Sequence, residues 1–287
     1  MCNWRDWQSV FYLLLLLALV IWQWIFGFNG WLYFIVLFLT LGVGVIHHNH
    51  THRRMWRSKI LNRFTDLWIC ILQGHPTFVF YPAHIANHHR YKHGERDVAR
   101  TYRFSFPGAR GDTNHLMGYL LHPVLAISVL YPLFIEWMRR MYAHHRAYFY
   151  YAVLQYLMVL GCWLVLAIMD WKGWLLLVLL PQIHGLHWLL ATNYLQHAHA
   201  DGSGKGLNFA RNFYGWVNPL LFNIGLHTAH HQHPRAHWSE LSALQEQYRP
   251  LINPRLNERG LLRYMWRTYC LGLLHPRWRS RSLHSKE

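Results

Sequence analysis

Long apolar runs constrain this chain more than any other feature of its sequence. Four of them cover residues 10–28, 31–46, 148–169 and 173–192. A bilayer core of about 30 Å takes about 20 residues of helix to cross. With 53% hydrophobic and only 14% charged residues, the chain has too few charges for a soluble surface and too many apolar residues for disorder. We therefore interpret the four runs as transmembrane helices, the first of them a permanent anchor because it leads directly into the second.

A fifth apolar run, residues 116–135, differs because it contains Pro123 and Pro132. Histidines cluster on both sides of it, at 47–52, 84–89 and 227–231. If these clusters form one site, they lie on one side of the membrane, and the chain between them crosses an even number of times. The last two long runs already supply two crossings. The fifth run is therefore expected to be interfacial or re-entrant.

The predicted fold is an all-α integral membrane protein with about four transmembrane helices, a single domain over 1–287. Its His-rich cap, expected in the cytosol, comprises residues 47–115 and 193–287. Basic residues outnumber acidic ones, 28 to 12, and they flank the spans. The positive-inside tendency then places the cap and both termini in the cytoplasm. The preference for Arg over Lys is compatible with a GC-rich bacterial genome, and the expected location is a bacterial inner membrane. Nucleic-acid binding is disfavoured, because the basic residues form no soluble patch. The four Cys are too dispersed for a disulfide scaffold or a cysteine zinc site.

The first His segment, HHNHTH at 47–52, follows the second span directly. On a continuing helix, residues four apart differ by about 40° in direction, so His48 and His52 share a face. His47 and His52 are about 140° apart and could share an ion only if the helix ended or were distorted. His48 is therefore the first choice as the partner of His52, with His47 as the alternative.

Three further segments repeat this kind of spacing: HIANHH at 84–89, NYLQH at 193–197 and HTAHH at 227–231. His84 and His88 are expected on one helix face, with His89 projecting to the side toward a second ion. Neutral imidazoles bind Fe, Zn, Cu and Ni, and adjacent histidines on a helix point in different directions. So many imidazoles exceed the needs of one tetrahedral zinc ion. The pattern therefore predicts two neighbouring metal ions.

In these four segments, taken in order, the chain resembles the integral-membrane fatty acid desaturase and hydroxylase superfamily. The run HTAHHQHPRAHWSEL at 227–241 looks like the last-box region of bacterial desaturases, and NYLQH also resembles the membrane alkane hydroxylases. The resemblance implies two iron ions in the cap. It implies that their ligands are His48, His52, His84, His88, His89, His197, His227, His230 and His231, with Asn193 acting through water and His47 as the alternative in the first box.

The same resemblance implies an O2-dependent di-iron desaturase acting on a fatty acyl chain, which could be free or linked to CoA, a carrier protein or a lipid. An alkyl or acyl hydroxylase and a 1-alkene-forming oxidase of the same superfamily remain alternatives. Because no HPGG haem-binding motif follows, electrons are expected from a separate donor such as ferredoxin with its reductase. A membrane metal-handling protein is the alternative from a different class, although such proteins place ligands near the bilayer midplane rather than at helix exits.

Overall fold

The computed structural model describes residues 1–101, 114–202 and 206–283. The parts of the predicted cap at 102–113, 203–205 and 284–287 lie outside the described residues. The described α-helices are, in chain order, α1 (Trp7–Phe26), α2 (Gly30–His52), α3 (Lys59–Gln73), α4 (His89–Tyr91), α5 (Leu116–His144), α6 (Arg146–Met169), α7 (Trp171–Gly173), α8 (Leu180–His197), α9 (Val217–Leu220), α10 (His227–Gln232), α11 (Leu241–Tyr248), α12 (Leu261–Met265) and α13 (Gly272–Leu274).

Shorter or wider helical turns join these elements. π-helical segments cover Tyr81–His88, Trp174–Leu179 and Trp266–Leu271. Turns of 3-10 helix cover Trp4–Asp6, Thr77–Val79, Trp238–Glu240, Arg249–Leu251, Pro254–Leu256 and Pro276–Trp278. Strands are minimal in the described part of the chain: β1 (Asn212–Phe213) pairs in parallel with β2 (Asn257–Glu258).

Five of the described helices are long and apolar enough to cross a membrane, judged by length and composition. They cover Trp4–Phe26, Gly30–His52, Leu116–His144, Arg146–Met169 and Trp171–His197. Three of them contain the runs 31–46, 148–169 and 173–192, and Trp4–Phe26 covers the run 10–28 except for its last two residues. The predicted class, an all-α integral membrane protein with a His-rich site, is confirmed.

The remaining candidate span, α5, contains the run 116–135 that was expected to be interfacial or re-entrant. Pro123 and Pro132 both lie inside one continuous helix, which reaches His144. A proline removes one backbone hydrogen bond and bends a helix, but it does not end a helix whose flanking turns remain favourable. The structure therefore has a continuous 29-residue helix here. Its placement at the membrane interface stays a prediction.

The turn between α1 and α2 shows how the sequence sets the first hairpin. Gly27 has a φ of 95° and ends α1. Asn29 precedes α2, and its side-chain oxygen accepts hydrogen bonds from the backbone N–H groups of Trp31 and Leu32, at 3.0 and 3.1 Å. An asparagine at this position satisfies donors that the first helical turn leaves unpaired. The helix then runs without interruption through the first His segment to His52.

The chain divides into two compact units, Met1–Tyr81 with Phe134–Leu189 and Pro82–Leu133 with Leu190–Glu287. In the first unit, α3 packs against α2 and α6. The core of the second unit is rich in aromatic side chains from the start of α5, the end of α8, β1 and the C-terminal segment, among them Tyr119, Tyr194, Phe213, Tyr264 and Tyr269. This unit contains the second His segment, the Asn-x-x-x-His segment and the last His segment.

Candidate metal centre

Four histidines of the second unit converge on a buried point, and we call them the four-histidine group. The group consists of His88, His197, His227 and His231, and each offers a ring nitrogen within 4.8 Å of the others. His227 Nε2 lies 3.0 Å from His197 Nε2 and 3.1 Å from His231 Nε2. Two imidazole nitrogens bound side by side to an ion at about 2.1 Å are separated by about 3 Å. The spacing therefore fits ligands that share one ion.

A second convergence in the same unit is the three-histidine group, His84, His89 and His230. His89 Nε2 lies 3.0 Å from His84 Nε2 and 3.0 Å from His230 Nε2. The rings of His84 and His89 are partly exposed, whereas that of His230 is buried. The same nitrogen spacing recurs here, so this unit holds two adjacent groups of metal-type donors.

Helix geometry divides the last His segment between the two groups. His227 and His231 are four residues apart on α10, so both side chains fall on one face and both join the four-histidine group. His230 precedes His231 by one residue and points to the three-histidine group. The expectation that adjacent histidines would serve different ions agrees with this geometry.

The histidines of the second His segment are divided between the two groups differently from what an α-helix would give. The rings of His84 and His88 do stack, with centroids 5.2 Å apart, but His84 joins His89 while His88 joins the four-histidine group. The cause is the π-helix over Tyr81–His88, whose wider turn brings residues five apart together. His84 and His89 are five apart, which explains their close Nε2 contact.

Hydrogen bonds on the outer nitrogens orient two of the buried rings. His88 Nδ1 lies 2.7 Å from Asp97 Oδ2, and His197 Nδ1 donates to the Phe209 carbonyl at 2.8 Å. Because a carbonyl oxygen can only accept, His197 carries its proton on Nδ1 and presents an Nε2 lone pair to the group. His88 Nε2 is buried and has no hydrogen-bond partner among the described residues. A buried imidazole nitrogen left in this way fits a metal ligand.

Burial and neighbouring rings favour the neutral form of His231. Burial, reinforced by the neighbouring His89, His227 and His88 rings, holds the pKa of His231 well below its ordinary value. For Asp97, burial opposes ionisation, but the adjacent His88 and several hydrogen bonds outweigh it, and the pKa of Asp97 lies below its ordinary value. A carboxylate hydrogen-bonded to the outer nitrogen of an imidazole is the arrangement that raises the basicity of a metal-binding histidine.

Asp97 is a residue that the sequence analysis missed. It is fully buried, and its carboxylate also accepts hydrogen bonds from the backbone N–H groups of His93 and Ala99, at 2.8 and 2.9 Å. The ring of His93, also fully buried, stacks on that of His197 with centroids 5.2 Å apart. The available signal was an acidic residue in a strongly basic segment, nine residues after His88. The sequence alone does not identify His88 as the partner of Asp97, because the loop between them must fold before the two side chains meet.

Replacing Asp97 with asparagine should weaken metal binding by about 10- to 100-fold, because the new side chain keeps its shape but loses the charge that orients His88. Metal retained per chain after dialysis against graded chelator concentrations measures the change. Glu246→Gln removes a carboxylate from the exposed face of α11, and it should retain metal as the unaltered protein does. Equal metal retention in the Asp97 variant and this control would contradict the role of Asp97.

The first His segment lies at the end of α2 in the first unit. The rings of His48 and His52 are 4.9 Å apart, and their ring nitrogens come within 4.8 Å. His47 points elsewhere: its Nε2 donates to the Thr77 carbonyl at 2.9 Å, and its ring packs on Phe80. The geometry thus brings His48 and His52 together and leaves His47 outside that pair.

Asn193 lies on α8, four residues before His197. Its side-chain nitrogen donates to the Ala99 carbonyl at 2.8 Å. Ala99 also donates its backbone N–H to the Asp97 carboxylate. Ala99 therefore links the Asn193 side chain to the carboxylate that orients His88. A role for Asn193 through water stays a prediction.

Comparison with known families gives one match. The model of a family described as fatty acid desaturase matches residues 22–263, a range that includes every residue of both histidine groups together with His48 and His52. Neither the curated proteins nor the solved structures give a significant match.

Proposed function

Because the chain belongs to the fatty acid desaturase family, we propose that it uses two irons and O2 to introduce a double bond into a fatty acyl chain. The observation that carries this proposal is the division of seven histidines of the second unit into two adjacent groups with Nε2 spacings of 3.0 to 3.1 Å. A single structural zinc ion needs four ligands and leaves the second group unexplained.

The proposed ligands follow the two groups. One iron is held by His88, His197, His227 and His231, and the other by His84, His89 and His230. The family resemblance adds His48 and His52 to the ligands and Asn193 through water. We choose His48 over His47 because the Nε2 of His47 already donates to Thr77.

When bound, the irons would supply the O2-dependent oxidation of an unactivated C–H bond. The residues of the chain hold and orient the ligand rings and exclude water from them. Asp97 and the Phe209 carbonyl fix the proton of two imidazoles on Nδ1, so that each Nε2 remains a donor to metal. Burial of the whole four-histidine group keeps bulk water away from the centre.

The membrane arrangement that fits this function keeps α5 at the interface, with the histidines and both termini in the cytoplasm of a bacterium. Within the second unit, Tyr119 at the start of α5 packs in the cluster that includes Tyr194, shortly before His197. This contact supports a position of the start of α5 close to the level of the histidines. A separate reductant such as ferredoxin would dock on the cytoplasmic side.

The reaction is tested in bacterial cells that co-express the protein with a ferredoxin and its reductase and are fed perdeuterated palmitate and stearate. Desaturation removes two deuterium atoms from neighbouring carbons, and mass spectrometry of the extracted acyl chains detects this loss. A His231→Ala variant at equal expression should give no such product. An added oxygen atom in place of the double bond would establish the hydroxylase alternative, and a shortened terminal alkene would establish the 1-alkene-forming alternative. If the acyl chains stayed unchanged although the protein contained iron, the proposed oxidase function would be wrong.

A further inference from the structure

The C-terminal part of the second unit contains a helical stretch, Leu261 to Leu274, that we call the C-terminal helix. It is made of α12, the π-helical turn Trp266–Leu271 and α13. Its inner face is fully buried through Tyr264, Thr268 and Tyr269. Amphipathic packing of this kind fixes one face of the helix and leaves the opposite face to its surroundings.

The inner face packs on the ends of two candidate membrane spans. Tyr269 stacks on Tyr119 of α5 with centroids 5.1 Å apart, and Tyr264 and Tyr269 share a cluster with Tyr194 near the end of α8. Asn114, just before α5, accepts a hydrogen bond from the Tyr269 hydroxyl at 2.9 Å and donates to that of Tyr264 at 2.6 Å. The C-terminal helix is therefore fixed at the level where these two apolar helices end.

The outer face of the same helix is apolar and exposed. Leu262 is 79% exposed, Trp266 62% and Leu274 82%. Trp216, 81% exposed, precedes Val217, which packs against the same buried cluster as Leu261 and Met265 of the C-terminal helix. Several large exposed apolar side chains on one face of a helix mark an interaction surface rather than an ordinary water-facing one.

The neighbouring surface of α5 indicates that lipid covers the exposed face of the C-terminal helix. On α5, residues adjacent to Tyr119 in sequence, namely Met117, Leu120 and Leu121, are also exposed and apolar. The apolar surface of a candidate membrane helix thus begins in the same turn that carries the contact to the C-terminal helix. Tryptophan at such a level is typical of the boundary between headgroups and acyl chains.

The charges around the C-terminal helix indicate lipids with anionic headgroups. Between residues 259 and 283 the chain has no acidic residue. It has six arginines there, at 259, 263, 267, 277, 279 and 281. Arg267 is paired with Glu258 at 2.9 Å, whereas Arg259, Arg263 and Arg277 are exposed. Arginines that border an apolar face are complementary to anionic headgroups.

We propose that the C-terminal helix lies in the membrane plane and inserts Leu262, Trp266 and Leu274 into the headgroup–acyl boundary of an anionic leaflet, with Trp216 beside them. The arginines contact the lipid phosphates from the rim of this face. The inserted helix tethers the second unit, and with it both histidine groups, to the bilayer surface. This proposal does not depend on which reaction the metal centre catalyses.

The test uses Cys270, which is exposed on the C-terminal helix, as the attachment point for an environment-sensitive nitrobenzoxadiazole fluorophore. The full-length protein carries Cys2→Ser and Cys162→Ala, Cys70 is buried, and the labelled chain is reconstituted in nanodiscs that contain phosphatidylglycerol. We expect blue-shifted emission that is quenched severalfold more by brominated lipid than by aqueous iodide. The matched control attaches the label to Ala243→Cys with Cys270→Ser, on the exposed side of α11, and should show the opposite preference.

Two further results decide the proposal. Changing the disc lipid to phosphatidylcholine alone should shift the Cys270 label toward iodide quenching, because the arginines lose their anionic partners. A Cys270 label that is quenched by iodide as strongly as the Ala243 label would overturn the proposal. Protection from both quenchers would also overturn it, since that result indicates a protein, such as a second copy of the chain, on this face.

Discussion

Replacing His231 with alanine should reduce the iron content by about one ion per chain and bring acyl-chain oxidation to background. The side chain is fully buried, and its Nε2 lies 3.1 Å from that of His227, so the four-histidine group loses a donor that water cannot replace in the same position. Elemental analysis of the purified protein measures the iron, and the deuterium-loss assay measures the reaction.

His233 provides the matched control for this variant. It follows α10 directly, and its Nε2 lies 2.6 Å from the Tyr248 hydroxyl, in neither histidine group. His233→Ala removes one partly buried hydrogen bond and should lower the free energy of unfolding by about 1 kcal/mol while the iron content stays unchanged. If His231→Ala kept its iron, or if both variants lost it equally, the assignment of His231 as a ligand would be wrong.

Replacing Arg211 with methionine should have the largest effect on stability. The guanidinium group is buried in the second unit, where it donates to the Glu258 carboxylate at 3.0 Å and to the Arg255 carbonyl at 2.7 Å, and it packs over the Tyr264 ring. It also donates to the carbonyl of Ala198, the residue after His197. Breaking a buried pair leaves one charge without its partner and costs about 3 to 5 kcal/mol. Because Arg267 still contacts Glu258, we expect about 3 kcal/mol, the lower end of that range.

Thermal unfolding in detergent, followed by tryptophan fluorescence, measures this change. Arg249→Met is the matched control, because Arg249 also packs over a tyrosine ring, that of Tyr214, and also pairs with a glutamate, Glu246. Its side chain is exposed, so its ion pair contributes at most about 1 kcal/mol. A midpoint that falls no further in the Arg211 variant than in the Arg249 variant would show that the buried pair does not stabilise the second unit.

The features that follow from local pattern could be predicted from the sequence. The four apolar runs became helices, because length and composition determine a membrane helix almost without regard to tertiary contacts. The rule that adjacent histidines on a helix point in different directions agrees with the division of His230 and His231 between the two groups. These inferences needed only the helical repeat.

The features that depend on packing could not be predicted. The second His segment is π-helical, and no local residue propensity predicts that wider turn. The sequence analysis assumed an α-helix and therefore did not predict the pairing of His84 with His89. Asp97 acquires its role only when its loop folds over His88. The two prolines of α5 suggested an interruption, yet the flanking turns continue the helix through both. None of these three outcomes follows from the local sequence pattern alone.

The iron content of the unaltered protein tests the central claim most directly. The protein is purified in mild detergent after expression with ample iron, and metal per chain is determined by elemental analysis. Two adjacent histidine groups predict about two irons per chain. His88→Ala and His230→Ala, one from each group, should each lower that number by about one. Zinc alone, or a single loosely held ion that neither substitution affects, would contradict the di-iron centre and favour metal handling instead.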